Sequence, residues 1–266
     1  MTAGSGRAAA GVFRSAGAGL RPRIGAHRGD LEVAPENTLA AFEAAAIAGV
    51  DYIEIDVQWT SDRALVVIHD DRLDRTTAGQ GQVANLPLAA VRELDAGAWF
   101  DTAFRGERVP TLDDSLEWLV HTPDVGLLVE AKAPGTGREI GRRLARVPFP
   151  ERVGICSFTV DELRDAAAVN PDLPRILIAP RRPCRGLDLL ASAHACRATG
   201  LNVSWSDLDR ALVLRLHADG LLVTAGTAND RPAMARVIEV GADLVDSDRP
   251  KMALAVRDAS RAHAGA

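Results

Sequence analysis

The residues best able to do chemistry cluster in one stretch, Asp51 to Asp70, which reads DYIEIDVQWTSDRALVVIHD. Its first half, Tyr52 to Gln58, alternates and is rich in β-branched residues, a pattern that predicts a strand. Side chains two apart on a strand share a face, so Glu54 and Asp56 project together, ~6–7 Å apart along the chain. The second half, Ala64 to His69, is another apolar, β-branched run. The turn between them is too short for a parallel crossover, which needs about a dozen residues, so the two runs must form an antiparallel hairpin. That hairpin folds His69 back beside Glu54. Two carboxylates and an imidazole on one patch offer hard donors that suit Mg²⁺ or Ca²⁺ better than zinc. E-x-D in a strand is common without a metal, and a lone histidine at a strand end is more often structural. The patch gains meaning only from its company elsewhere in the chain.

The elements that must position these groups follow from periodicity. Strand runs alternate with helical stretches from Arg23 onward. A short run ending at His27 precedes a helix predicted over residues 37–48, capped near Glu36 or Asn37 and closed by Gly49. After the hairpin, residues 70–110 form a long connection rich in Gly and charge that holds Trp99, Phe100 and Phe104; a connection of that length is functional or a small subdomain. A helix capped by Thr111 comes next, and from there strands and helices alternate to the C-terminus. With the His69 arm taken as an extension above the sheet, the tally is eight βα units, as a TIM barrel requires. A doubly wound sheet fits less well, because no G-x-G-x-x-G or P-loop opens any helix. The sequence therefore predicts a tail at residues 1–22, disordered, and one α/β domain at 23–266, a TIM (β/α)8 barrel with a small insertion at about 70–110.

Composition bounds the partners. The 266 residues carry 31 basic and 36 acidic side chains, a net charge of −5 that argues against a nucleic-acid-binding surface. Cys156, Cys184 and Cys196 are odd in number and lack C-x-x-C spacing, which predicts buried thiols in a reducing compartment and no zinc site. The Ala-, Gly- and Ser-rich N-terminus lacks the apolar core of a secretory signal, and no window is apolar enough to span a membrane. A cytoplasmic location is the expectation; nothing indicates an oligomeric state.

Active sites of TIM barrels lie at the carboxyl ends of the strands. Those ends read His27 and Arg28, Glu54 and Asp56, Glu130 with Lys132, and Ser157, with His69 above them on the hairpin. Glu130 and Lys132 alone read equally well as an ion pair; the set as a whole points to chemistry. A metal held by Glu54, Asp56 and Glu130 tolerates cationic neighbours if an anion also enters, and Arg28 and Lys132 stand where a phosphate would supply it. Two histidines flanking that phosphorus divide the proton work, one taking a proton from the nucleophile and the other giving one to the leaving alcohol.

The sequence resembles the glycerophosphodiester phosphodiesterase family. The likeness runs through HRGD at 27–30, APENT at 34–38, EIDV at 54–57, VIHD at 67–70, PTL at 110–112 and EAK at 130–132. It continues through Ser157-Phe158, TAND at 227–230 and DSDRP at 246–250. The resemblance implies a TIM barrel with an insertion after the His-Asp pair, Glu54, Asp56 and Glu130 as ligands of a divalent metal, Mg²⁺ or Ca²⁺, His27 and His69 as the acid–base pair, and Arg28 and Lys132 as phosphate contacts. It implies hydrolysis of a small-molecule glycerophosphodiester to glycerol phosphate and an alcohol. One departure is Gly226, where the family usually carries tryptophan, which opens the alcohol side unless Trp205 leans in to refill it. Two other readings stay open: a lipid-directed phosphodiesterase of the phospholipase C or sphingomyelinase D kind, with Trp99, Phe100 and Phe104 at a lipid-facing rim, and an idle barrel used for binding. The second expects a lost ligand or histidine, and none is lost.

Overall fold

A computed structural model describes residues 11–13, 21–180 and 189–264, with side chains to residue 260. Eight parallel strands close a barrel: β1 (Arg23–His27), β2 (Tyr52–Trp59), β4 (Gly126–Ala131), β5 (Val153–Ser157), β6 (Arg175–Ile178), β7 (Gly200–Ser204), β8 (Leu222–Gly226) and β9 (Leu244–Ser247). Pairing of β1 with both β2 and β9 closes the ring. The remaining strand, β3 (Leu65–Val67), runs antiparallel to the upper end of β2 and forms the expected arm. Helices fill the crossovers: α1 (Leu39–Ala48), α3 (Leu112–His121), α4 (Thr136–Leu144), α5 (Val160–Val169), α6 (Leu189–Ala195), α7 (Arg210–Ala218), α8 (Arg231–Val240) and α9 (Pro250–Ala264). The short α2 (Leu88–Val91) lies in the insertion. The predicted TIM barrel is the fold.

Strand alternation decides which side chains meet. On β2, Ile53, Ile55 and Val57 join the apolar layer between barrel and helices, whereas Tyr52 joins the core inside the barrel. On β4, Leu127 and Val129 face the helices and Leu128 faces in. Glu54, Asp56 and Glu130 share the inward parity of Tyr52 and Leu128, so they stand above that core. Gly25 makes room for Tyr52: a Cβ there would lie 2.3 Å from the ring, so any side chain would displace it.

Three local expectations are corrected. The N-terminal tail is not free at residues 11–13. Phe13 is 1% exposed and packs edge-to-face on Tyr52 with ring centroids 5.3 Å apart. Val12 is tied by its N–H to Glu151 O at 2.9 Å and by its carbonyl to Arg23 Nη1 at 2.6 Å. The lower mouth of the barrel is an apolar seat, and one phenylalanine suffices to fill it; residues 1–10 and 14–20 lie outside the described residues, as does Cys184. The cap of α1 is Thr38, whose side chain accepts from Ala41 N, and not Glu36 or Asn37. Asn37 is in the left-handed region at φ 57° and turns its amide onto Asp56 instead. Gly49 closes the helix as expected, at φ 86°. The His69 arm ends with Ile68 N–H donating to Asp56 O at 2.9 Å, so His69 leaves it next to Asp56 rather than Glu54.

The insertion has its own small core of Leu73, Val83, Val91, Ala96 and Val109, against Val66 and Ile68 of the arm. Trp99, Phe100 and Phe104 stack edge-to-face in sequence at 5.8 and 5.7 Å, and the Trp99 indole N–H donates to Ala96 O. That arrangement is insertion packing. Among the described residues, no helix is long and apolar enough to cross a membrane.

Candidate active site

The parallel register of β2 and β4 sets Asp56 beside Glu130, and that of β1 and β2 sets His27 beside Glu54. Oxygen atoms of Glu54, Asp56 and Glu130 lie within 4.8 Å of one another. All three carboxylates are buried. Burial together with the charges of Asp56 and Glu130 pushes Glu54 well above the usual carboxylate range. Burial and Asp56 push Glu130 up to about 7. Burial acts the same way on Asp56, but Arg28 and Lys132 outweigh it and hold that group down to about 2. Glu54 Oε2 is buried without a hydrogen-bond partner. Three crowded carboxylates with an orphaned oxygen are what a hard divalent cation would satisfy, so these residues fit one.

Both expected phosphate contacts stand at this cluster. Arg28 Nε lies 3.0 Å from Asp56 Oδ2 as an ion pair, without the alignment of a hydrogen bond. Lys132 Nζ lies 3.3 Å from Asp56 Oδ1 and 3.2 Å from Glu130 Oε1. Arg28 occupies a left-handed backbone conformation at φ 62°, with its N–H on Glu54 O. Strain of that kind persists where surrounding structure holds it, here on the rim of the cluster.

Each histidine is backed by a carboxylate. His27 Nδ1 lies 2.6 Å from Asp248 Oδ1, and the other Asp248 oxygen accepts from Asn229 Nδ2 at 2.5 Å. His69 Nδ1 lies 2.6 Å from Asp70 Oδ1. Asp70 is held below the usual carboxylate range, chiefly by hydrogen bonds from Arg75. Burial lowers His69. An ionised carboxylate only accepts, so in both pairs the proton sits on Nδ1 and Nε2 is left to act. His27 Nε2 is 3.9 Å from Glu54 Oε2.

These groups share one cleft of about 260 Å³, lined on its charged side by His27, Arg28, Glu54, His69, Glu130 and Lys132. Its other side carries Phe158, Ile178, Asn202, Ser204, Gly226 and Thr227, with the buried Asp246 accepting from Asn202 Nδ2 at 3.1 Å. A Cβ at Gly226 would lie 3.1 Å from Asn202 Oδ1, so the neighbour there is Asn202. Trp205 packs against the outer apolar layer instead of leaning into the cleft. Ser157, read from sequence as part of the rim, turns away: its hydroxyl is buried and donates to Ala131 O. Sequence reading gave no role to Asp248, Asn229, Asp70 or Arg75, and took Asn37 for a helix cap instead of a partner of Asp56. For Asp70 the signal was there, next to His69 in the chain.

Residues 27–252 match the profile of the glycerophosphoryl diester phosphodiesterase family. A glycerophosphodiester phosphodiesterase of Caldanaerobacter subterraneus subsp. tengcongensis is 36% identical over 237 residues, 87% of this chain and 96% of the relative. One from Bacillus subtilis is 30% identical over 246 residues, covering 85% and 83%. Among solved structures, an Oleispira antarctica phosphodiesterase in complex with its product sn-glycerol-3-phosphate superimposes with a TM-score of 0.81 at 31% identity, over 90% of this chain and 97% of that one.

Proposed function

The chain belongs to the glycerophosphoryl diester phosphodiesterase family, and from that premise we propose that it hydrolyses glycerophosphodiesters to glycerol phosphate and a free alcohol, with a divalent metal and two histidines. The observation that carries this reading is the cleft itself: three converging buried carboxylates share it with two imidazoles, each backed by a carboxylate. Arg28 and Lys132 bind the non-bridging phosphate oxygens, exchanging part of their pairing with the carboxylates for the incoming anion. One imidazole Nε2 accepts a proton from the attacking water as its oxygen forms the new P–O bond. The other, entering protonated, gives its proton to the departing alcohol oxygen as the old P–O bond breaks. Asp248 and Asp70 hold the two rings in the tautomer these roles need. Glu54, Asp56 and Glu130 would hold a divalent cation, which would supply Lewis-acid polarisation of the phosphoryl group. Oxygen-only donors favour Mg²⁺ or Ca²⁺ for that place.

The glycerol phosphate half, as in the product of the Oleispira antarctica relative, is common to all such substrates, so selectivity among them rests with the alcohol. Gly226 and Asn202 put no bulky side chain on their part of the cleft wall, with Phe158 elsewhere in the lining, which favours acceptance of bulky alcohols over choice among small ones. Buried free thiols at Cys156 and Cys196 fit a reducing, cytoplasmic setting. The direct test is turnover of a panel of glycerophosphodiesters after chelation and metal replacement. Chelated protein should be silent, and Mg²⁺ or Ca²⁺ should restore it. Full turnover by metal-free protein would overturn the metal assignment, and inertness toward the whole panel would overturn the substrate class.

A further inference from the structure

Arg75, in the insertion, lies outside the groups that act on substrate, yet its guanidinium grips two carboxylates behind them. Along one edge Nε and Nη2 donate to Asp70 Oδ2 and Oδ1 at 2.7 and 3.0 Å. Along the other, Nη1 and Nη2 donate to Glu36 Oε2 and Oε1 at 2.7 and 2.8 Å. Each carboxylate passes the grip inward. Asp70 Oδ1 accepts from His69 Nδ1 at 2.6 Å, and Glu36 Oε1 accepts from Arg28 Nη1 at 3.1 Å. Arg28, Glu36, Arg75, Asp70 and His69 thus form one unbroken line of charge-assisted hydrogen bonds.

The chemistry of this line admits only a guanidinium at its centre. Two carboxylates are each met by two donors, which takes one N–H from Nε, one from Nη1 and two from Nη2, in the planar fork peculiar to arginine. An ammonium carries its donors on a single atom and cannot face both partners this way. The backbone on either side of Arg75 is held in place: Leu73 is fully buried, Thr76 and Thr77 are buried, and Thr77 Oγ1 donates to Leu73 O at 2.7 Å. The Arg75 side chain itself is 44% exposed. Glu36 beneath it is 9% exposed but keeps Arg28 as a second cationic partner, and Asp70 is 29% exposed, so loss of the half-open Arg75 end costs the fold little and the clasp matters more for geometry.

We infer that Arg75 is a positioning residue of the site: by clasping Asp70 and Glu36 together it fixes the His69 imidazole and the Arg28 guanidinium relative to each other. This is what the insertion contributes to the barrel. The inference rests on the phosphodiesterase reading above, and wild-type turnover is its control. In the metal-loaded protein, Arg75→Ala should lower kcat by roughly 10- to 100-fold, the scale of an ångström's misplacement, and raise KM as Arg28 loses its orientation. Arg75→Lys, which keeps the charge but not the fork, should fare no better. Free guanidinium ion should restore part of kcat to Arg75→Ala and none to Arg75→Lys. In a His69→Ala background, Arg75→Ala should cost little further kcat, because both changes disable the same ring. The melting temperature should hold in each variant, and the downfield Nδ1 proton resonance of His69 should broaden or shift in Arg75→Ala.

Kinetic constants of Arg75→Ala within about twofold of wild type would overturn the inference, as would full recovery by lysine or kcat losses that multiply with His69→Ala. Loss of the fold in both Arg75 variants would also overturn it, since the clasp would then be structural. A wild-type protein inert on every glycerophosphodiester would instead count against the proposed function, and the His69 proton resonance would still report on the clasp.

Discussion

Asp248→Asn should damage the enzyme more than Asp248→Ala, and the reason is fixed by one neighbouring amide. In the wild type, Asp248 accepts twice, from His27 Nδ1 on one oxygen and from Asn229 Nδ2 on the other. The Asn229 amide cannot flip to adapt, because its Oδ1 already accepts from the Asp248 backbone N–H at 2.9 Å and from Ser247 Oγ at 3.3 Å. An asparagine at 248 must therefore turn its single carbonyl oxygen toward Asn229 and its amide nitrogen toward His27. That nitrogen donates, so it forces the imidazole into the tautomer with a bare Nδ1 and a proton on Nε2. The ring can then neither take a proton at Nε2 nor be stabilised as imidazolium. The expected loss is about 10²- to 10⁴-fold in kcat, or ~3–5 kcal/mol, the range of general acid–base assistance and of tautomer errors in catalytic triads. Alanine imposes no tautomer and should lose less. The assay is steady-state turnover of one diester at saturating metal, followed by release of glycerol phosphate, with KM expected to move little. Wild-type kcat in Asp248→Asn, or a larger loss in Asp248→Ala, would refute this account of His27.

The other predictions concern the second histidine, the carboxylate cluster and the barrel's lower mouth. His27→Ala and His69→Ala should each cost about 10²- to 10⁴-fold in kcat, and the double variant much less than their product; near-normal kcat in either would make that histidine structural. In metal-stripped protein, Glu130 at about 7 retains a proton that the unfolded chain, with its ordinary value of 4.5, releases. Melting temperature should therefore fall as pH rises from about 4.5 to 7, and saturating Mg²⁺ or Ca²⁺ should flatten that slope by favouring the charged form. An identical slope with and without metal would contradict the ligand assignment. Phe13→Ala should destabilise by about 3–5 kcal/mol, as loss of a fully buried ring does, and lower the melting temperature by roughly 2–4 °C per kcal/mol. An unchanged melting curve would place Phe13 outside the barrel.

What the sequence made legible, and what it hid, divides along the range of the interactions. Strand parity places Glu54, Asp56 and Glu130 on one side of their strands, and parity is written locally in alternating residues. The hairpin followed from the length of its turn alone. Asp248 and Asn229 were hidden because they come from the turns after β9 and β8 and reach His27 only through the β1–β9 pairing that closes the ring. Asn37 sat where a helix cap was expected, but its contact with Asp56 pulls it into a left-handed turn and hands the cap to Thr38. Phe13 was masked by the small residues around it, which give no periodicity to read, although the barrel's open lower end supplies its burial. The expectation of His69 beside Glu54 missed because the arm's final hydrogen bond, from Ile68 to Asp56, sets the level at which the ring leaves the strand.

The central claim is that the cleft hydrolyses a glycerophosphodiester completely at phosphorus, and phosphorus NMR of the products in ¹⁸O-enriched water tests it most directly. With metal restored, the account predicts a glycerol phosphate monoester carrying solvent oxygen on phosphorus, together with an unlabelled alcohol. Accumulation of a cyclic glycerophosphate as the end product, or solvent label in the released alcohol, would contradict it.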